Sequence, residues 1–414
     1  MDIHLNYHRS LMGALNPAKG RPLVIRGELG QAPSMQLLEE IARKEYGAGP
    51  VTLSYIDPIH DANLLRYGDF LEIDTMYDSL RATYREVVAQ QGSLLRLVGE
   101  QYPDLDTQLA EECPEAFGRW MEVQSATAQL YRHHGVNRGL CTWLVAGVAQ
   151  DGWARKVFPA EGDQALARLW DCLYDVTWAK CEDPDKERRA LDEGLHRRSA
   201  ALNALGIDRF HVTGPGTDWT VGLNPLARFR SGGGRTADGR YFNANTPSFE
   251  VWVTPDRLRA DGELAFTMPF LADGVLVEGL QVKMEKGAIV ECHATRGLEE
   301  FKRHIAMDEG AKYGGEFALV GIDSPLYRIN TLFYNTLYDE NAASHWAFGN
   351  GYSDCIEGGQ SMTPAQLREV GCNSSKIHTD AMWGSDKIDV IAHTRDGREV
   401  PVLLQGVWQA QFSI

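Results

Sequence analysis

The chain has 414 residues, of which 43% are hydrophobic and 24% charged, and its formal net charge is -16 at pH 7. This length and mix are typical of a soluble globular protein with two or three domains, and they exclude a fibrous or disordered chain. The acidic balance argues against a nucleic-acid partner, because proteins that bind the phosphate backbone usually carry clustered lysine and arginine.

The chain also carries no targeting or membrane signal that we recognise. The first residues are rich in charge and histidine and lack the apolar core of a secretory signal, and no apolar run elsewhere is long enough to span a bilayer. Seven scattered cysteines without a C-x-x-C pattern favour reduced thiols over disulfides or a zinc-thiolate site. We therefore expect a cytoplasmic protein without membrane contact.

The first half of the chain alternates short apolar runs with amphipathic stretches. We predict strands over 23–25, 51–57, 94–98 and 141–148, and helices from residue 35 and over 77–90, 115–132, 164–180 and 184–205. This alternation implies a largely parallel sheet with helices on its faces. No glycine-rich turn matches the dinucleotide or P-loop fingerprint, which argues against a nucleotide cofactor.

From about Gly206 the pattern changes to short alternating strands, separated by Gly, Asp and Pro at intervals of about ten residues. Such spacing predicts an antiparallel sheet that curls toward a barrel. We therefore predict an α/β N-terminal domain over 1–205 and a β-rich (α+β, barrel-like) C-terminal domain over 206–414.

Side chains that suit a metal ion are concentrated in the second half. His378 and Asp380 lie two residues apart in an extended segment, so an imidazole and a carboxylate share one face. Glu340 and His345 lie close together upstream, and Tyr352 follows on a Gly-containing turn. One cation could take both His378 and Asp380.

Two further glutamates interrupt apolar stretches. Glu250 and Glu316 each lie in a strand-like segment, where an ionised carboxylate is costly unless a cation or hydrogen bonds compensate it. Taken singly, each of these residues has a structural alternative: a glutamate as a salt-bridge partner or turn cap, and a histidine as a hydrogen-bonded core residue. Together, four carboxylates and two imidazoles match a site for two divalent ions that share a bridging carboxylate and water.

Several motifs, in order, make the resemblance specific: CTWLVAG, FHVTGPGTDWTVGL, NTPSFEVWVTP, GGEFALVG, TLYDENAASH, a Tyr followed by CIEGG, and H-T-D-x-M-x-G. This set resembles the aminopeptidase T and aminopeptidase S family of binuclear metallopeptidases, over nearly the whole chain. The resemblance implies a two-domain homodimer whose β-rich domain removes the amino-terminal residue from peptides, using two divalent ions such as zinc, cobalt, manganese or magnesium.

The same motifs imply the functional residues. The metal ligands would be Glu250, Glu316, Glu340, His345, His378 and Asp380. We expect Glu316 to act also as a general base, and Tyr352 to donate a hydrogen bond to the tetrahedral oxyanion. The free α-amino group of the peptide would bind one metal ion, which explains the restriction to the first residue.

The chain departs from the family pattern at aromatic positions. Phe249 stands where the family often has a second carboxylate, and Trp346, Phe348 and Trp383 are bulkier than the aliphatic residues common there. We expect these side chains to narrow the substrate pocket or change its preference.

Two other hypotheses fit part of the pattern. His345, His378 and Asp380 alone would satisfy the two-histidine, one-carboxylate iron(II) site of a ring-cleaving dioxygenase. A non-catalytic dimer with a structural metal is the second, although closed structural sites are normally cysteine-rich or saturated by four protein ligands. The additional glutamates favour hydrolysis with two metal ions.

Overall fold

A computed structural model describes residues 2–136 and 138–414. The α-helices are α1 Ile3–Leu15, α2 Ala32–Glu45, α3 Pro58–Tyr67, α4 Phe70–Thr75, α5 Asp78–Ala89, α6 Leu105–Glu112, α7 Pro114–Tyr131, α8 Asp151–Val157, α9 Ala165–Val176, α10 Pro184–Ala204, α11 Leu298–His304, α12 Pro325–Ile329, α13 Thr336–Asp339 and α14 Pro364–Glu369. Within these described ranges, no helix combines the length and the apolar character needed to cross a bilayer.

The strands, which are mostly short, follow the same order. They are β1 Leu23–Glu28, β2 Val51–Ile56, β3 Ser93–Val98, β4 Thr142–Gly147, β5 Ile207–Gly214, β6 Thr217–Gly222, β7 Arg230–Ser231, β8 Gly234–Arg235, β9 Tyr241–Phe242, β10 Asn245–Thr246, β11 Val251–Val253, β12 Ala260–Ala265, β13 Phe270–Ala272, β14 Val275–Val277, β15 Gln281–Glu285, β16 Ala288–His293, β17 Gly314–Leu319, β18 His345–Gly349, β19 His378–Met382, β20 Asp389–Thr394, β21 Glu399–Leu404 and β22 Val407–Trp408.

The chain divides into two units that are not contiguous in sequence. One unit comprises Met1–Arg188 and Gly233–Pro247, and the other comprises Arg189–Gly232 and Ser248–Ile414. The predicted boundary between residues 205 and 206 follows the end of α10, whereas the units divide within that helix. The boundary was predicted from a change in local pattern, which marks where strands begin rather than which segments pack together.

The first unit contains the predicted parallel sheet. Its strand order is β10-β4-β3-β1-β2, and every neighbouring pair is parallel. β1, β3 and β4 are apolar runs whose alternate residues are buried, as expected for strands covered by helices. Each predicted strand of this region matches an observed one to within about three residues.

The second unit is built from two antiparallel sheets that share one core. The larger sheet has the order β16-β15-β12-β6-β5-β20-β21-β22 and the smaller one β19-β18-β17-β11-β7. Between them, the ring of Phe210 stacks on Phe317 at 5.0 Å and the indole of Trp219 meets Trp346 at 4.9 Å, centroid to centroid. The β-rich fold is therefore as predicted, but among the described residues its strands form two open sheets and the β13–β14 hairpin, not one closed barrel.

Candidate metal centre

Adjacent strands of the smaller sheet carry most of the predicted ligands. Glu316 lies in β17, His345 begins β18, and β19 supplies His378 and Asp380. β17 pairs with β18 and β18 with β19, so side chains from the three strands meet on one face of the sheet. Glu250 directly precedes β11, which pairs with the other edge of β17. Residues that are as many as 130 positions apart in the sequence are thus neighbours in the fold.

These side chains form two groups that share one member. Glu250, Glu316 and His345 make one group, and Glu316, His378 and Asp380 make the other. Within each group, one ligand atom from every residue lies within 4.8 Å of the others. Nitrogen and oxygen donors of this kind suit divalent zinc, cobalt, manganese or magnesium.

Backbone carbonyls fix the orientation of both imidazoles. His345 donates its Nδ1–H to the carbonyl of Ala343 at 3.2 Å, and His378 donates its Nδ1–H to the carbonyl of Asn350 at 2.7 Å. Each Nε2 atom is therefore left to face the carboxylates. Metal-binding histidines are normally held in this way, because the outer hydrogen bond sets the tautomer and the ring orientation.

The carboxylates of the centre are buried and lie against the two imidazoles. Glu250, Glu316 and Asp380 are 6%, 4% and 9% exposed. Glu250 Oε2 lies 3.2 Å from His345 Nε2, and His378 Nε2 lies 3.2 Å from Glu316 Oε2 and 3.6 Å from Asp380 Oδ1. Beyond these imidazoles, the buried atoms Glu250 Oε2 and Asp380 Oδ1 have no hydrogen-bond partner among the described residues. Such atoms are costly to bury, so their donor set fits a site that is completed by cations.

The electrostatics of the cluster point in the same direction. Burial raises the pKa of Glu316, with further contributions from the nearby Asp380 and Glu250. Although burial opposes it, attraction by Asp380 and Glu316 raises the pKa of His378 to about 9. His345 likewise has a raised pKa, because its hydrogen bond and attraction to Glu250 outweigh burial. The cluster therefore retains protons until a cation replaces them, and metal uptake should release protons.

Glu340 and Tyr352 lie beside the two groups. Glu340 follows the last residue of α13 and belongs to neither group. Burial raises the pKa of Glu340, and the nearby carboxylates of Glu250 and Asp380 raise it further. The hydroxyl of Tyr352 lies 3.0 Å from His378 Nε2, and the residue is 37% exposed. All seven predicted site residues are thus at one place in the second unit.

The bulky aromatic residues have a different role from the one expected. Trp346, Phe348 and Trp383 are at most 1% exposed and lie in the core between the two sheets. Trp383 stacks on Phe317 at 5.5 Å, and none of the three lines the cavity beside the metal centre. These three side chains therefore do not narrow this cavity, because Trp346 and Phe348 in β18 and Trp383 just after β19 pack in the core. That they change the substrate preference stays a prediction.

Three residues next to the ligands form a series of hydrogen bonds that was not predicted from the sequence. His304, the last residue of α11, is buried between two side chains. Its Nδ1 lies 2.8 Å from Asp273 Oδ2, and its Nε2 lies 2.8 Å from the hydroxyl of Thr379, which separates His378 from Asp380 in β19. No local sequence pattern links these three positions, so only the fold brings them together.

The arrangement differs from the one that a mononuclear iron site requires. His345 belongs to the group of Glu250, while His378 and Asp380 belong to the other group. A two-histidine, one-carboxylate triad needs both imidazoles at one ion. The two groups instead separate the imidazoles and share a glutamate.

Comparison with known proteins identifies the family. Residues 11–408 match the family described as thermophilic metalloprotease (M29). The chain is 34% identical over 402 residues to aminopeptidase T of Thermus thermophilus and 32% identical over 397 residues to aminopeptidase AmpS of Bacillus subtilis, with 95% of each chain covered in both cases. The solved structure of wild-type AmpT from Thermus thermophilus superposes with a TM-score of 0.86 at 31% identity, covering 98% of both chains. The chain therefore belongs to the M29 family of metallopeptidases and is a metal-dependent aminopeptidase.

Proposed function

We propose that this chain holds two divalent cations, one in each group of ligands, and that Glu316 bridges them. The observation that carries the proposal is that Glu316 is common to both groups. Glu250 and His345 would complete one position, and His378 and Asp380 the other. Binuclear hydrolases typically hold their ions about 3.5–4 Å apart around a shared carboxylate.

The reaction is hydrolysis of the first peptide bond. When bound, a pair of divalent cations lowers the pKa of a coordinated water and polarises the scissile carbonyl. Restriction to the first residue follows if the free α-amino group of the peptide occupies a remaining ligand position. The hydroxyl of Tyr352, at the edge of the centre, donates a hydrogen bond to the oxyanion of the tetrahedral intermediate.

For the general base we prefer Glu340 to Glu316. Glu316 is shared by the two groups, and a carboxylate that bridges two cations is a weak base because their charge favours its ionised form. Glu340 belongs to neither group and lines the cavity beside His378 and Asp380. It would take a proton from the attacking water and deliver it to the leaving nitrogen as the C–N bond breaks.

The direct test combines metal content with activity. Protein stripped with a chelator is reloaded separately with zinc, cobalt, manganese or magnesium, and bound metal is counted against released amino-terminal residue. A short peptide and its N-acetylated form are compared, because only the first offers a free amine. We expect two ions per chain and cleavage of the free peptide alone. Reactivation by iron(II) and oxygen, with consumption of an aromatic diol, would favour the dioxygenase instead.

Two substitutions separate the roles of the glutamates. Glu316→Gln is expected to lose metal and activity together, because both groups depend on that side chain. Glu340→Gln is expected to keep two ions per chain and lose activity by at least a hundredfold, as removal of a general base does. If Glu340→Gln also loses an ion, Glu340 is a ligand, as the family resemblance implies.

Three further expectations stay predictions. The substrates would be peptides with a free amino terminus, the enzyme would be a homodimer, and it would act in the cytoplasm. Sedimentation equilibrium of the metal-loaded enzyme tests the second of these, and a mass of one chain would refute it.

A further inference from the structure

A cavity of about 120 Å³ opens directly beside the metal centre. The candidate site residues Glu340, His378 and Asp380 line it, together with the apolar residues Phe270, Leu271 and Met382 and with polar residues that include Asn335 and Thr336. All of its lining residues belong to the second unit. The cavity therefore places the candidate ligands next to a wall that includes apolar side chains.

We propose that this cavity receives the side chain of the substrate's amino-terminal residue, and that Leu271 limits the size of the side chain it accepts. The inference rests on the proposed function. An aminopeptidase holds the α-amino group and the scissile carbonyl at the metal centre, and both groups are attached to the same Cα atom. The side chain on that atom must therefore enter space next to the ligands.

The wall of the cavity is held in place relative to the ligands. Leu271 lies in the β13–β14 hairpin, and Asp273 in its turn binds His304 Nδ1 at 2.8 Å. The other ring nitrogen of His304 bonds to Thr379, between two predicted ligands. Because these contacts fix the wall against the ligand strand, the size of the cavity is preorganised rather than set by the substrate.

The neighbour of Leu271 on the same strand adds to this rigidity. Phe270 is 4% exposed, and its ring packs against Phe301 at 6.1 Å and Phe266 at 6.2 Å. Leu271 itself is only partly buried. A change at Leu271 can therefore alter the cavity without opening the core.

The volume of the cavity favours a side chain of moderate size. Asp339 is the other carboxylate in the cavity wall, but its oxygens already accept the backbone N–H groups of Phe333 at 2.6 Å and Asn335 at 3.0 Å. Both oxygens of Asp339 are thus hydrogen-bonded to the backbone of this segment. An apolar cavity of about 150 Å³ takes a benzene ring in another protein. The cavity beside the metal centre has a volume of about 120 Å³, so we expect it to accept leucine or methionine in preference to the larger indole of tryptophan.

The test compares two leucines that differ in their relation to the cavity. Leu271 and Leu276 are direct partners across the hairpin and are both partly buried, but only Leu271 lines the cavity. Leu271→Ala and Leu276→Ala are assayed as metal-loaded enzymes on X-Gly-Gly peptides, with X as Ala, Leu, Phe or Trp. A second series, Leu-X-Gly, varies the residue after the scissile bond.

We expect Leu271→Ala to raise the ratio of kcat/KM for Trp-Gly-Gly to that for Leu-Gly-Gly by about tenfold or more. One or two methylene groups in a pocket have an effect of this size. Leu276→Ala should leave that ratio unchanged, and Leu271→Trp should retain Ala while losing Leu. An unchanged ratio in Leu271→Ala, or a change that follows the second residue of the peptide, would overturn the proposal. If the wild-type enzyme releases Ala from Ala-Gly-Gly but Leu271→Ala leaves the Trp-to-Leu ratio of kcat/KM unchanged, the assignment of the pocket is wrong and the proposed function stands. If it releases no amino terminus with any cation, both are overturned.

Discussion

A methyl group at Gly315 would displace the backbone that orients His378. A Cβ atom at this position would lie 2.1 Å from the carbonyl oxygen of Asn350 and 2.6 Å from that of Gly349. Ordinary contacts of a Cβ atom begin at 3.4 Å, so in Gly315→Ala the segment has to move by roughly 1 Å. Neither atom belongs to a flexible side chain that could turn away.

The displaced carbonyl is the one that accepts the Nδ1–H of His378 at 2.7 Å. Loss of such an outer hydrogen bond typically weakens metal affinity or activity about 10- to 100-fold. We therefore expect the dissociation constant for zinc to rise by about that factor in Gly315→Ala, which corresponds to roughly 1.4–2.7 kcal/mol. Competition between the metal-free protein and a chromogenic chelator measures it directly.

The neighbouring glycine provides a matched control. A Cβ atom at Gly314 would lie 1.8 Å from the buried ring of Trp346, in the core. Gly314→Ala is thus expected to lower the free energy of unfolding by about 1–3 kcal/mol, and Trp346→Phe should relieve part of that loss. Wild-type zinc affinity in Gly315→Ala, together with a lowered midpoint of thermal unfolding, would refute the role given to Asn350.

Three further predictions concern stability. Chelation should lower the midpoint of thermal unfolding, because a cation at 100 times its dissociation constant stabilises the fold by about 2.7 kcal/mol; equal midpoints with and without chelator would contradict this. Burial lowers the pKa of His8 to about 4, below its usual 6.5. As pH falls, His8 is therefore protonated in the unfolded chain before it is protonated in the folded one, so the free energy of unfolding drops by about 3 kcal/mol between pH 6.5 and 4. Urea titrations of His8→Phe should show a smaller drop over that range. Gly118 is exposed within α7 and a Cβ atom there would meet nothing within 4 Å, so Gly118→Ala should raise the unfolding free energy by about 0.5–1 kcal/mol, measured by urea denaturation.

The parallel sheet was predictable because its strands are short apolar runs between amphipathic helices. The predicted strand over 94–98 corresponds to β3 and the predicted helix over 115–132 to α7. The small helices α3 and α4 were missed, since six to ten residues give too few turns for a helical period to stand out. β10 was also unpredictable, because its pairing with β4 joins residues about 100 positions apart.

The residues that meet at the candidate metal centre could be named from the sequence, but their grouping could not. Glu316 could be predicted as a ligand because a carboxylate is unusual within an apolar strand. The spacing of His378 and Asp380 predicted that their side chains lie on the same face of a strand. That Glu316 is shared, and that Glu340 stands outside both groups, depends on the register of separate strands. The carbonyl groups of Ala343 and Asn350 orient the histidines without any side chain, so they leave no trace in the sequence.

The interrupted path of the chain limits how these enzymes can recombine. The backbone passes between the two units within α10, before Gly233 and after Pro247. A single crossover between two related genes near residue 206 would give a chimera whose β10 comes from one parent and its partner β4 from the other. Only an exchange that also transfers Gly233–Pro247 with the first unit keeps each unit's strands from one parent. Such an exchange between this chain and a relative takes three junctions instead of one.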